Sequence, residues 1–233
     1  MMYRVRIMKR PLFLFLLLSL IAATESQAQK LEWPVYAADN AGTKYTPLNT
    51  ITRDNVRQLQ IAWRWRSVDA SLLAADPSLW TWRNEATPLM IGGVLYTSTS
   101  LSQVAAIDAV TGQTRWWYDP ESHRLGSPPN NGFLHRGVTY WAEGNDERIF
   151  IGTGDAHLIA LDAESGNPIT SFGTNGRVDL TLGLGRTVSR TFYGVTSPPT
   201  VCAGTVIVGS SIFDVPVVRS MPPGGSVIRC SSM

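Results

Sequence analysis

Cysteine is scarce in this chain: Cys202 and Cys230 are the two among 233 residues. Neither stands in a CxxC or CxxCH motif, so zinc and covalently attached haem have no support. A disulfide between them is permitted in an oxidising compartment, but the spacing does not demand one. A charge bias is also lacking. The chain carries 20 Lys and Arg against 18 Asp and Glu. Four of the basic residues (Arg4, Arg6, Lys9, Arg10) and one acid (Glu25) lie in the first 28 positions, which leaves 16 basic against 17 acidic residues in the remainder. That balance gives no electrostatic case for nucleic acid. A second long apolar run is missing as well. The run at residues 12–23 (LFLFLLLSLIAA) is 12 residues long, short of the roughly 20 that span a bilayer.

That run has a different reading. The basic residues precede it and Ser26-Gln27-Ala28 follows it as a small-x-small site. The pattern predicts a secretory signal peptide over residues 1–28, cleaved near Ala28, and hence an exported, periplasmic protein. An uncleaved N-terminal anchor is the other reading of the same pattern. No cysteine stands at the cleavage site, which argues against a lipoprotein.

The body of the chain is organised by a repeat. Residues 103–116 (QVAAIDAVTGQTRW) combine a short apolar run, an Ala-x-Asp, a Thr-Gly turn and a tryptophan, and residues 157–168 (HLIALDAESGNP) return to most of it. Asp108 and Asp162 are 54 positions apart, as are Gly112 and Gly166. The Asp side chain can bond the backbone of the turn it opens, and Gly can take positive φ where the chain reverses. Residues 87–99 hold two short strands around Gly92-Gly93, a hairpin signal, and the 103–117 unit completes a set of four. Residues 137–141, 148–152, 157–161 and 169–172 are expected as the second set, and 200–202 with 205–208 as the opening of a third. Four-stranded units at this period are blades of a β-propeller, so the fold class is all-β. A propeller closes with about four to eight blades, and only about three are expected here.

Ahead of the repeats, residues 29–52 read as an irregular lead-in rich in turn formers. A short helix is expected over residues 52–59, capped by Thr52 or Asp54. A strand is expected over residues 61–65 from their alternation, and a loop over 72–82. The chain thus divides into a leader (1–28), a lead-in with a first strand (29–83), a partial propeller (84–223) and a tail (224–233).

The segments WPVY at 33–36, GTKYTPL at 42–48, NV..LQIAW at 55–63, NEATP at 84–88, RGVTYW at 136–141, TSPP at 196–199 and GSS at 209–211, taken in order with the AxDxxTGxxxW turn, resemble the quinoprotein alcohol and sugar dehydrogenases that use pyrroloquinoline quinone (PQQ), most closely the glucose dehydrogenase branch. The resemblance implies an eight-bladed propeller with the quinone on its axis, a Ca2+ beside it, and oxidation of the hydroxyl of a sugar or other alcohol by hydride transfer to the quinone. It implies cofactor contacts at Glu85 of NEATP, Arg136 of RGVTYW, Thr196 of TSPP and Ser211 of GSS. An arginine suits that role because its planar fork bonds carboxylates in pairs. The resemblance also implies a metal carboxylate at Asp214, calcium being a cation that takes oxygen ligands.

Other roles are not carried over. Gly132 stands where the glucose branch has a quinone-contacting histidine, and His135 reads as a packing residue. Phe133-Leu134 stand where the alcohol branch has a vicinal cysteine pair, which leans towards sugar or polyol substrates. The catalytic base of the family is expected beyond the last residue, and the isolated chain is expected to be inactive. Residues 224–233 depart from the family pattern, and a frameshift or premature stop is the expectation drawn from them. Electrons would leave to a quinone or cytochrome acceptor, with the protein peripheral to the inner membrane. The alternative reading is a non-catalytic propeller that serves as a binding or assembly module.

Overall fold

The computed structural model describes residues 32–81, 83–128 and 132–212, together with the backbone of 226–229. The expected leader lies outside these residues. Among the described residues no helix is long and apolar enough to cross a membrane.

Two four-stranded antiparallel meanders dominate. The first runs β1 (Leu89–Ile91), β2 (Val94–Ser98), β3 (Val104–Asp108) and β4 (Thr114–Tyr118), neighbours in sequence being neighbours in the sheet. The second repeats it with β5 (Thr139–Glu143), β6 (Asp146–Gly152), β7 (His157–Asp162) and β8 (Arg177–Asp179). The paired strands β9 (Tyr193–Gly194) and β12 (Ser211–Ile212) follow. A third sheet orders β10 (Thr200–Cys202), β11 (Thr205–Val208) and β13 (Ser226–Arg229). These are the blades of a partial β-propeller.

The Gly92-Gly93 hairpin forms as expected. Gly92 has φ +56° and Gly93 φ +81°, the pair of positive values that a two-residue turn matching the strand twist requires. The β6 strand shows how the second blade is covered on both faces. Ile149 and Ile151 face the first blade, where they join Leu89, Tyr96, Val104 and Ala106. Phe150 points the other way and packs with Phe172, Tyr193, Val206 and Val208. Successive side chains on a strand alternate faces, so a blade covered on both sides needs consecutive apolar residues, as β6 has. Each such buried side chain contributes about 1.5–3 kcal/mol relative to exposure.

The repeated turn explains how neighbouring blades are joined. The Asp108 carboxylate accepts hydrogen bonds from Val110 N (3.1 Å), Thr111 N (2.9 Å) and Thr111 Oγ1 (3.0 Å). Asp162 does the same for Ser165 N (2.7 Å) and Ser165 Oγ (2.6 Å). The Trp116 indole lies on the second turn: its Nε1 donates to Ala163 O (3.0 Å), and a Cβ at Gly166 would lie 2.5 Å from its ring. Trp63 repeats this on the first turn, donating to Ala109 O (3.2 Å) with its ring 2.5 Å from a Cβ at Gly112.

Several local expectations are corrected. Residues 61–65 form no ladder among the described residues. Their exposure alternates in the same pattern as β4 because Trp63 and Trp65 turn towards the first blade, Trp65 Nε1 donating to Thr114 Oγ1 (2.9 Å). The alternation therefore records docking without strand pairing. The fourth strand of the second blade is β8, not residues 169–172. Phe172 N donates to Ile169 O (2.8 Å) in a turn, and Phe172 contributes by packing edge-on to Phe150 at 5.5 Å. Only Val56–Gln58 is helical near residue 55, as a 3-10 turn. Neither Thr52 nor Asp54 caps it; Asn55 holds the N-cap position without a side-chain capping bond and instead accepts from Thr52 N (2.7 Å).

Helix α1 (Asp69–Ala75) replaces the start of the expected loop. Its buried Asp69 accepts from Leu101 N (3.2 Å) and Gln103 Nε2 (2.8 Å), which pins the helix to the β2–β3 turn. Within the tail, residues 226–229 form β13 and pair with β11, Val227 opposite Ile207, so a strand follows residue 224 where none was expected. Cys202 is exposed and free; Cys230 lies outside the described residues.

Candidate functional site

The expected cofactor residues sit at equivalent places in the repeat. Glu85 lies four positions before β1, Arg136 three before β5 and Thr196 four before β10. Each therefore stands on the lead-in to the first strand of a sheet. Backbone hydrogen bonds tie these lead-ins side by side: Thr87 N donates to Arg136 O (3.3 Å), and Arg136 N donates to Thr196 O (2.8 Å). Three residues up to 111 positions apart are thereby brought to one end of adjacent sheets.

Their side chains meet. Arg136 Nε is 3.1 Å from Glu85 Oε2, and Arg136 Nη1 donates to Thr196 Oγ1 at 2.9 Å. The other Glu85 oxygen, Oε1, is 2.9 Å from Arg83 Nε. The cluster thus sets two guanidiniums around one carboxylate. Arg136 and Glu85 are about one-third exposed, at 34% and 30%, so a ligand can reach them from solvent. Ion pairs at this exposure hold geometry more than they add stability.

Arg83 was missed by the sequence reading, which began its motif at Asn84. The signal was present: in an extended segment residues i and i+2 share a face, which puts Arg83 beside Glu85.

His135 is directly behind Arg136 and fully buried. Its Nε2 faces Gly152 O at 2.7 Å and so must carry the proton. Its Nδ1 then accepts from Ser98 Oγ (2.8 Å) and Gly137 N (3.3 Å). Burial depresses its pKa to about 4, and the Arg136 charge adds to the effect. Both ring nitrogens are spent on the scaffold, in keeping with a packing role. Phe133 and Leu134 are buried beside it.

Ser211 stands apart from the cluster. It pairs with Gly194 across β9 and β12, and no hydrogen bond joins it to Glu85, Arg136 or Thr196 among the described residues. Asp214 lies outside the described residues. Among the described residues no three His, Cys, Asp or Glu side chains are grouped so as to hold a metal ion. A separate cavity of about 580 Å3 runs along the first strands, bounded by Tyr36, Asp39, Leu89, Tyr140, Pro198 and Val201; none of the clustered residues lines it.

Comparison with known proteins adds an independent line. A family model described as "PQQ: Glucose/ethanol/alcohol dehydrogenase, beta-propeller domain" matches residues 33–229. Quinoprotein glucose dehydrogenase A of Acinetobacter calcoaceticus is 30% identical over 204 residues, covering 78% of this chain and 24% of that protein. Quinate/shikimate dehydrogenase (quinone) of Acinetobacter baylyi is 30% identical over 223 residues, covering 86% of this chain and 26% of that protein. Among solved structures, quinohemoprotein alcohol dehydrogenase from Comamonas testosteroni superposes with a TM-score of 0.59 at 29% identity, covering 83% of this chain and 25% of that one. The chain spans about a quarter of the length of the curated relatives it matches.

Proposed function

The chain belongs to the glucose/ethanol/alcohol dehydrogenase family of PQQ β-propellers, and on that footing we propose that the cluster of Glu85, Arg136 and Thr196 is part of a PQQ-binding site of a dehydrogenase acting on a sugar or another alcohol. The observation that supports this most is the convergence itself. Three residues nominated separately from their motifs meet in one hydrogen-bonded group.

The donor set suits the cofactor, an anionic quinone bearing carboxylates. Arg136 uses Nε and Nη1 on its protein partners, and Nη2 takes part in neither contact. Thr196 Oγ1 accepts from Arg136 and keeps its own O–H to donate. Glu85 holds the guanidinium plane from the opposite side, so that Arg136 presents its fork in one orientation. His135 stays neutral behind it and adds no competing cation. When bound, PQQ would supply the acceptor for the hydride that leaves the carbon bearing the substrate hydroxyl. The residues of this chain bind and orient it, and no base is assigned among them.

Ser211 is a further proposed cofactor contact. Among the described residues no three His, Cys, Asp or Glu are grouped to hold Ca2+, and Asp214 is its proposed ligand. Export to the periplasm, peripheral association with the inner membrane and a quinone or cytochrome acceptor complete the proposal.

Titration of the purified protein with PQQ tests it, with quenching of the tryptophan emission as the readout. Arg136→Ala is expected to weaken binding by roughly 10- to 100-fold, the range for losing a charge-assisted hydrogen bond to a ligand. Arg115→Ala serves as the control, since that arginine pairs with Asp108 away from the cluster. Equal PQQ affinity for the wild type and Arg136→Ala refutes the assignment.

A further inference from the structure

We propose that Arg83 is a positioning residue of this site, acting through Glu85 to hold Arg136 in the orientation that receives a carboxylate of an anionic ligand. The inference rests on the cofactor reading above. It starts from the two ends of one carboxylate: Glu85 Oε1 faces Arg83 at 2.9 Å, and Oε2 faces Arg136 at 3.1 Å. Each oxygen is engaged by a guanidinium, so Glu85 is a bridge between two cations rather than a free acceptor for ligand.

Arg83 does two things through that bridge. It fixes the rotation of the carboxylate, because a group held at one oxygen pivots and a group held at both does not. It also shares the negative charge. Without Arg83 the whole Glu85 charge falls on Arg136 and weakens the pull of its guanidinium on an anion. The backbone around Arg83 is itself anchored. Ser100 Oγ donates to Arg83 O at 3.2 Å, which ties the segment to the β2–β3 turn. Asn84 Oδ1 accepts from Ala86 N at 2.9 Å, which sets the bend between Arg83 and β1.

The ligand chemistry implied is a molecule bearing a carboxylate that the Arg136 guanidinium can receive; the probe is PQQ. The experiment is a coupling cycle on the full chain at about 0.15 M salt, where charges more than about 8 Å apart are screened from one another. PQQ affinity is measured for the wild type, Arg83→Gln, Glu85→Gln and the double variant, with thermal unfolding of the unliganded proteins as the check on folding. Arg83→Gln is expected to weaken PQQ by roughly 10-fold. In the Glu85→Gln background the same change is expected to alter affinity less than about twofold, since residues acting through one another are not additive. Arg83→Lys keeps the charge but not the planar fork and is expected to fall between the two.

Unchanged affinity in Arg83→Gln, with binding lost in Arg136→Ala, overturns the role of Arg83 and leaves the cofactor site standing. An Arg83→Gln loss that is equally large with and without Glu85 overturns the bridge. Failure of the wild type itself to bind PQQ overturns the cofactor reading and this inference with it.

Discussion

Gly166→Ala isolates the joint between the first two blades. Gly166 has φ +74°, and an added Cβ would lie 2.5 Å from Trp116 Cε3 and 2.6 Å from Cδ2. Holding a residue other than glycine in the left-handed region costs about 1–2 kcal/mol. Forcing a methyl group into a packed contact costs about 1–3 kcal/mol more. The ring has little room to retreat, because its Nε1 is bonded to Ala163 O at 3.0 Å. The sum is a loss of about 2–5 kcal/mol. Gly144→Ala supplies the control: its φ is +62°, but no atom lies within 4 Å of the added Cβ, so only the backbone cost of about 1–2 kcal/mol applies. Urea unfolding of both variants, followed by tryptophan fluorescence and analysed at a common m-value, gives the difference directly. Gly166→Ala is expected to be the less stable by about 1–3 kcal/mol. Equal midpoints for the two variants refute the docking of Trp116 on that turn.

Two further outcomes follow from buried polar groups. His135 is held neutral in the fold with a pKa of about 4 against 6.5 when free, so the unfolded chain binds the extra proton between these values. Stability is full above pH about 6.5 and declines as pH falls towards about 4, by on the order of 3 kcal/mol; His135→Gln is expected to remove that part of the slope in pH-dependent denaturation, and an unchanged slope contradicts the buried neutral state. Asp69→Ala strips the acceptor from Leu101 N and Gln103 Nε2 and is expected to cost about 2–4 kcal/mol in chemical denaturation. Asp69→Asn, which keeps one acceptor oxygen, is expected to lose less, and wild-type stability in Asp69→Ala would show that the helix is not anchored there.

The sequence was most informative where one residue's local chemistry decides the structure. Asp108 and Asp162 bond their own turns, so their spacing revealed the blade period. Gly92-Gly93 needs nothing but its own backbone freedom, and the hairpin appeared where those residues stand. The sequence was least informative where distant partners decide. Residues 61–65 carry the alternation of a strand, but their tryptophans dock on the Asp108 turn and on the start of β4, 46 and 49 positions away. Residues 169–172 look like a strand because Phe172 packs on Phe150. Asp69 sits in a short helix whose anchor is a turn more than 30 positions on.

The candidate site divides along the same line. By itself the sequence determined the propeller class and the family, and it singled out Glu85, Arg136 and Thr196 as candidates, because each lies inside a short motif next to a strand start. Only the tertiary structure decided that these three meet, that both ring nitrogens of His135 are spent on the scaffold, and that Arg83 joins the group. Those outcomes depend on backbone bonds that join lead-in residues 49 and 60 positions apart, and such pairings are set by how whole blades stack.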